Sequence, residues 1–136
     1  MHSTNYTNAF IEVADDCKAQ HGTMPPDRQP ATIARLQYDM IHAHPYRHTS
    51  DDVVFGVHAA RQAIGGAELA ASRAVFFSKG QACLRASPLA KQYGWGIHHD
   101  ADGKVALYAR ESAHYDRLRN DPALKHVKAM KNSRPV

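Results

Sequence analysis

The sequence predicts an α+β fold in which a small antiparallel sheet packs against several helices. Apolar residues at helical spacing, preceded by helix-start residues, cluster in the middle and at the end of the chain. They do not alternate regularly with strand-like segments, which argues against a doubly wound parallel sheet. A turn-forming run at residues 100–103 separates two strand-like segments, as in a hairpin. The sheet would therefore contain an N-terminal strand, a central strand and a hairpin in the C-terminal half.

The first third of the chain predicts a strand, a loop and a helix, in that order. Residues 10–14 alternate loosely between apolar and polar, as a short strand does. Residues 15–30 contain Gly22 and three prolines and are predicted to form a loop. After Thr32, apolar residues recur at helical spacing until Pro45 ends the helix.

Residues 49–64 carry signals for both a helix and a strand. Thr49, followed by a serine and two aspartates, is typical of a helix start, and acids stabilise the first turn of a helix. Val53 and its neighbours favour a strand, although apolar residues also recur at helical spacing. Because the start signal agrees with that spacing, we predict a helix ending at Gly65-Gly66. A second, alanine-rich helix is predicted over residues 67–77.

The next segment predicts a strand, a short helix and the hairpin. Residues 81–85 are predicted to form the central strand. Ser87 and Pro88 then form a helix start, because serine caps a helix and proline suits its first position. The two hairpin strands are predicted at residues 95–99 and 104–109.

The C-terminal part predicts two further helices. Ser112 caps a helix that continues through Leu118, and Pro122 begins a final helix through about Met130. Residues 132–136 are expected to fray, as chain ends commonly do.

The composition is that of one globular domain, residues 1–136. Hydrophobic residues make up 43% and charged residues 22% of the chain, which are globular rather than disordered values. The chain is also long enough to bury a core without disulfides. Its formal net charge of +4 is modest and the basic residues are scattered, so nucleic acid is not the expected partner.

The sequence indicates a cytoplasmic protein. The first ten residues lack the basic and then apolar pattern of a signal peptide. No apolar run approaches the roughly 20 residues that a membrane-spanning helix needs, so no membrane partner is expected. Cys17 and Cys83 form neither a CxxC pair nor a disulfide-rich pattern, so both thiols are expected to be reduced.

Residues 76–108 contain the candidate site. The helix start at Ser87 offers unpaired amides and the positive end of a helix dipole, and both suit an anion. One basic residue lies two positions before this cap, one lies a turn inside the helix, and a third precedes the turn at Gly80. The alternative is that Ser87 only caps the helix and that the basic residues are surface charges. The predicted residues for binding a small anionic or phosphorylated ligand are Lys79, Arg85, Ser87, Lys91, Trp95 and His98.

Trp95 lies between two glycines, Gly94 and Gly96, in the first hairpin strand. Glycines weaken a strand, so a packed helix or a ligand must approach the backbone closely there, and a packed helix is the simpler explanation. Trp95 and Ile97 share one face of the strand, whereas His98 lies on the other. Since an unperturbed imidazole titrates near neutrality, His98 is a candidate general acid or base.

The ten histidines raise the question of a metal site. The chain has no HExxH and no CxxC motif, and Pro45 separates His42 and His44 from His48. We therefore expect neither a metal nor a cofactor.

Several segments of the chain resemble an uncharacterised bacterial family of about this length. They are Thr4-Asn5-Tyr6, Phe10 to Val13, Ser50-Asp51-Asp52-Val53, Phe76 to Tyr108 and Lys128-Ala129-Met130. The family is known only as a domain of unknown function. The resemblance implies a self-contained single-domain protein, and it implies no activity, cofactor or catalytic residue.

Three functions are consistent with these observations. The first is binding of a small anionic or phosphorylated ligand at residues 79–98. The second is an enzyme that uses His98 as a general acid or base. The third is a homodimeric interaction module without a small-molecule site. A shared pocket for Arg85, Lys91 and His98 beside Trp95 would favour the first two, and separate surfaces would favour the third.

Overall fold

A computed structural model of the chain, which describes residues 1–133, shows a four-stranded sheet packed against helices. The strands are β1 (Ala9–Glu12), β2 (Trp95–His99), β3 (Val105–Ala109) and β4 (Lys125–Lys128). Their order in the sheet is β3-β2-β1-β4, in which β2 is antiparallel to both β1 and β3. β4 runs parallel to β1. The predicted α+β class is confirmed, but the sheet is mixed rather than antiparallel.

The described residues form five α-helices: α1 (Ile33–His42), α2 (Ser50–Arg61), α3 (Leu69–Phe76), α4 (Pro88–Lys91) and α5 (Ala113–Arg119). Four of them begin directly after a capping residue, and three of these residues, Thr49, Ser87 and Ser112, are predicted from the sequence. The side chains of Thr32, Thr49, Ser87 and Ser112 each accept a hydrogen bond from a backbone N–H of the first turn. No helix within residues 1–133 has the length and apolar character needed to cross a membrane.

The ambiguous segment after Thr49 is helical, as the start signal predicts. Thr49 Oγ1 accepts a hydrogen bond from the Asp52 N–H, and the Asp52 carboxylate accepts one from the Thr49 N–H. This reciprocal capping satisfies two backbone donors that the helix itself cannot. Asp52 also pairs with Arg73 of α3 at 2.9 Å, which joins the two helices. Local capping therefore prevails here over the strand propensity of the valines.

The prediction of a central strand at residues 81–85 is wrong. The segment contains a single 3-10 turn, Leu84–Ala86, in which the Ala86 N–H bonds to the Cys83 carbonyl. Leu84 is fully buried. The apolar residues of this segment thus contribute to the core from an irregular connection, because the chain has to turn before the helix start at Ser87.

The prediction of a final helix over residues 122–130 is also wrong, because residues 125–128, at the centre of this segment, form strand β4. The Lys125 N–H bonds to the Asn8 carbonyl and the Ala129 N–H bonds to the Glu12 carbonyl, each at 2.8 Å. Pairing with a distant strand has overridden the local start signal at Pro122. That proline instead follows Asp121, whose carboxylate accepts from the Ala123 N–H in a turn.

The predicted frayed tail is held at its beginning. The backbone N–H groups of Asn132 and Ser133 both donate to the carboxylate of Asp16. These bonds lower the pKa of Asp16 to about 2. The other residues of the predicted tail, 134–136, lie outside the described part of the chain.

Strand β1 lies inside the sheet and is buried on both faces. Ala9, Phe10 and Ile11 are each completely buried. Phe10 makes an edge-to-face contact with Tyr115 of α5, with 5.1 Å between ring centroids. On the opposite face, Trp95 contacts α1. Helices therefore cover both faces of the sheet.

The glycine at position 96 permits this close packing. A Cβ atom at Gly96 would lie about 2.5 Å from the Phe10 ring and 2.6 Å from the ring of Tyr115. Both distances are too short for non-bonded carbon atoms. The expected close approach beside Trp95 is present. At Gly96 it comes from the Phe10 ring of β1 and from Tyr115 of α5, and at Gly94 from the His21 carbonyl, so a packed helix accounts for only part of it.

His99 is the one completely buried histidine within residues 1–133. Neither of its ring nitrogens has a hydrogen-bond partner among the described residues. Burial lowers the pKa of His99 from its ordinary value of 6.5 to about 4, because a charged imidazole is poorly solvated in the core.

We expect His99 to make the protein less stable in acid. Between the folded and unfolded pKa values, the unfolded chain binds a proton that the folded chain does not, so a falling pH favours unfolding. His99 should lower the free energy of unfolding by about 3 kcal/mol between about pH 7 and about pH 4, at about 1.4 kcal/mol per pKa unit.

Urea unfolding of the variant His99→Leu at several pH values tests this expectation. The variant should lose this part of the pH dependence and be at least as stable as wild type at neutral pH, since it buries no unpaired nitrogen. His44→Leu, at an exposed position, is the control and should behave as wild type. The same acid dependence in wild type and His99→Leu would contradict the assignment.

Candidate functional site

The six residues predicted to bind a ligand do not gather around one cavity. Ser87, Lys79 and Lys91 each line a different surface cavity. Arg85 holds the C-terminal segment, because its Nε donates to the Lys128 carbonyl at 2.8 Å. Anion binding by these residues as a set stays a prediction, and the separate positions of Arg85, Lys91 and His98 favour the interaction module over a site that these three share.

The remaining two predicted residues lie on opposite faces of β2, as the strand alternation predicts. Trp95 is buried against Tyr38 and His42 of α1, with ring centroids 5.8 and 5.6 Å away. Its indole N–H donates to the Thr23 carbonyl at 2.9 Å. His98 faces the other way, towards Tyr46. Trp95 thus packs in the core and anchors the loop that precedes α1.

A cavity of about 390 Å³ lies between α1, α2 and residues 81–88, and we call it the helix cavity. Part of its lining is apolar, with Ile33, Val57 and Leu84 as examples. None of its lining residues is Asp or Glu, whereas His58 and Arg61 both line it. The cavity therefore combines an apolar wall with groups that can carry positive charge and no group that carries negative charge.

Gln37 supplies a fixed polar group to this cavity. Its side chain is only 6% exposed and lines the cavity. The Ser87 hydroxyl accepts from the Leu89 N–H at 3.1 Å, so its own proton is donated to Gln37 Oε1, which lies 2.6 Å away. The Gln37 NH₂ group then has no hydrogen-bond partner within residues 1–133. Ser87 thereby orients the Gln37 amide, whose nitrogen is still reached by solvent.

Arg61 and His58 are one helical turn apart near the end of α2, so they lie on the same side of that helix. Arg61 is exposed and forms no ion pair with any described residue. The imidazole of His58 packs on the Phe76 ring, with 4.6 Å between centroids. The arginine is free to reorient towards a ligand, while the histidine is held by the aromatic contact.

A second group of polar side chains surrounds His98 on the opposite face of the sheet. The Tyr46 hydroxyl lies 2.8 Å from His98 Nδ1 and 2.6 Å from the Tyr108 hydroxyl. Because Tyr46 has one proton and two partners, it donates to one and accepts from the other. The chain of three groups can run in either direction, which would exchange the donor and acceptor roles of the two His98 nitrogens.

Tyr46 is held in a strained backbone conformation. Its φ of +60° lies in the left-handed region, which costs a residue other than glycine about 1–2 kcal/mol. The Tyr46 N–H donates to the Val105 carbonyl at 2.9 Å, which fixes this conformation against β3. Strain of this kind is often found where a side chain must be placed for function.

Burial shifts the pKa values of both partners in this group. It lowers the pKa of His98, while the negative charges of Asp100 and Asp121 oppose the shift. Burial and the hydrogen bond with Tyr108 raise the pKa of Tyr46. A neutral imidazole beside a protonated phenol is therefore the stable state at neutral pH.

The residues predicted from the sequence include His98 and Ser87 but not Gln37, His58 and Arg61. The three-residue spacing of His58 and Arg61 was a usable signal that they share a helix face. Nothing in the sequence indicated that Gln37 would meet Ser87, which is 50 positions away. Within residues 1–133, no three His, Cys, Asp or Glu side chains are grouped as a metal site requires.

A comparison with known protein families finds a match over nearly the whole chain. The model of a family described as a family of unknown function, DUF6157, matches residues 1–135. No curated protein and no solved structure matches the chain significantly.

Proposed function

We propose that this chain, which belongs to DUF6157, a family of unknown function, binds a small organic anion in the helix cavity. The proposal rests on the charge of the cavity lining, which has basic residues and no acidic residue to balance them. His58 and Arg61 line it, and no Asp or Glu does. An anion would supply the missing negative charge in a partly apolar environment, where electrostatic attraction is stronger than in water.

Each polar group of the cavity has a distinct role in this proposal. The planar guanidinium of Arg61 can donate two parallel hydrogen bonds to a carboxylate. The Gln37 NH₂ group, oriented by Ser87, supplies a further donor at a nearly buried position. The apolar residues between them would contact the carbon skeleton of the ligand, as in most small-molecule sites.

A carboxylate fits these donors better than a phosphate monoester. One arginine matches the two oxygens of a carboxylate, whereas a phosphate dianion presents three oxygens and more charge. The helix start at Ser87 adds little, since α4 has four residues and its Leu89 N–H already bonds to Ser87. Of the residues predicted from the sequence, Ser87 takes part in this site, in a positioning role.

Isothermal titration calorimetry with sodium butanoate tests the proposal. We expect 1:1 binding by wild type and an affinity at least about tenfold lower for Arg61→Gln, because a hydrogen bond to a charged group contributes about 1.5–3 kcal/mol. Arg47→Gln, also exposed but outside the cavity lining, is the matched control and should bind as wild type. Glycerol 3-phosphate should bind more weakly than butanoate.

Two results would contradict the proposal. One is the absence of measurable binding of both anions by wild type. The other is an equal loss of affinity in Arg61→Gln and Arg47→Gln, which would indicate attraction to the net positive charge rather than a site.

A second candidate function is proton transfer by His98, favoured by its hydrogen bond with Tyr46. Because His98 Nδ1 is hydrogen-bonded to the Tyr46 hydroxyl, Nε2 is the ring nitrogen that could contact a substrate. Because the Tyr108–Tyr46–His98 chain can reverse, Nε2 could act as a proton donor in one direction and as an acceptor in the other. This arrangement makes His98 a candidate general acid or base, with Tyr46 as its positioning residue.

NMR titration of the histidines tests this second candidate. The pKa of His98 should lie below its ordinary value of 6.5 in wild type. In Tyr46→Phe it should shift, because His98 loses its hydrogen-bond partner at Nδ1. Tyr108→Phe should change it less, since Tyr108 hydrogen-bonds to Tyr46 and not to His98. If the His98 pKa is unchanged in Tyr46→Phe, Tyr46 does not position His98.

The cytoplasmic location and the homodimer stay predictions from the sequence. The exposed apolar side chain of Val75 on helix α3 is one surface at which a dimer could form. Sedimentation of the wild type over a range of concentrations distinguishes a monomer from a dimer.

A further inference from the structure

A second cavity adjoins the helix cavity. It has a volume of about 440 Å³ and lies beside α3, and we call it the α3 cavity. His58 and Phe76 line both cavities. The tilted rings of His58 and Phe76 therefore lie between the two cavities, and a ligand longer than the helix cavity would run along these rings to reach the α3 cavity.

The α3 cavity is more apolar than the helix cavity. Ile64, Ala71 and Val75 line it together with the Phe76 ring. Its lining also contains no Asp or Glu, and Lys79 is the residue there that carries a full charge. Lysine buries its methylene stem against apolar surface while its ammonium group stays in water. The cavity thus suits a hydrocarbon chain rather than a second polar group.

The packing of α3 leaves this apolar lining exposed. Phe76 and Phe77 attach the helix to the rest of the protein, with Phe76 5.7 Å from the Phe55 ring and Phe77 almost fully buried. Arg73 adds its ion pair with Asp52. Val75 lies elsewhere on the helix and is 69% exposed. Covering such a side chain with hydrocarbon is favourable because it removes apolar surface from water.

From the two adjoining cavities we infer that the ligand is a medium-chain aliphatic carboxylate. This inference rests on the proposed function and specifies its ligand class. The carboxylate lies with Arg61, His58 and the Gln37 NH₂ group in the helix cavity. The hydrocarbon chain runs along the rings of His58 and Phe76 and occupies the α3 cavity beside Val75.

A homologous series of probes tests the inference. Butanoate, hexanoate and octanoate are titrated into the full chain by calorimetry, with octan-1-ol as the uncharged match for octanoate. Each added methylene that becomes buried should tighten binding roughly fourfold, so each step of two carbons should give about tenfold or more. Octan-1-ol should bind at least about tenfold more weakly than octanoate, because it lacks the charge that Arg61 recognises.

Two variants on α3 separate the chain-binding cavity from the rest of the helix. Val75→Asp should abolish the gain with chain length while leaving butanoate binding close to that of wild type. Leu69→Asp is the matched control, since Leu69 is also an exposed apolar residue of α3 but does not line the cavity. Arg61→Gln should weaken all three carboxylates by the same factor.

The possible failures are distinguishable. Equal affinities for the three carboxylates would overturn the inference and leave the proposed anion site intact. No binding of any carboxylate would overturn both. An unchanged series in Val75→Asp, together with a change in the sedimentation of that variant, would show that a second copy of the chain covers this face and would also overturn the inference.

Discussion

The fold depends on the burial of strand β1 on both of its faces. Ala9, Phe10 and Ile11 are completely buried, so the sheet requires helices on either side of it. Tyr115 of α5 meets Phe10 on one face because residue 96 has no side chain to keep the rings apart. The backbone of β1 also has to be paired along both edges, which explains why residues 125–128 join the sheet as a parallel strand.

The helix cavity follows from how the opposite face is covered. Helices α1 and α2 pack beside each other, and the connection before α4 turns instead of forming a strand. Leu84 from this connection fills the core, while other residues of the same connection line the cavity. The hydrogen bond between Ser87 and Gln37 joins α4 to α1. One serine thus has two roles, because it caps a helix and orients the amide that we assign to ligand binding.

Local signals in the sequence were sufficient for most of the helices and for the hairpin. Capping residues such as Thr49 act on neighbouring backbone groups, so their effect can be read without the rest of the fold. Strand β4 could not be predicted in this way, since its hydrogen bonds come from Asn8 and Glu12, more than 100 positions earlier. The candidate site has the same limitation. Arg61 and Gln37 line one cavity only because α1 packs on α2, and no local pattern encodes that packing.

The central claim is that the helix cavity recognises an organic anion, and NMR of the isotopically labelled protein tests it most directly. During titration with hexanoate, the side-chain signals of the Gln37 NH₂ group and the Arg61 Nε–H should shift together and saturate at a common concentration. The side-chain signals of Arg47 and Arg119, which do not line the cavity, should remain in place. Shifts that spread evenly over the arginine side chains, or that leave Gln37 unchanged, would contradict the account.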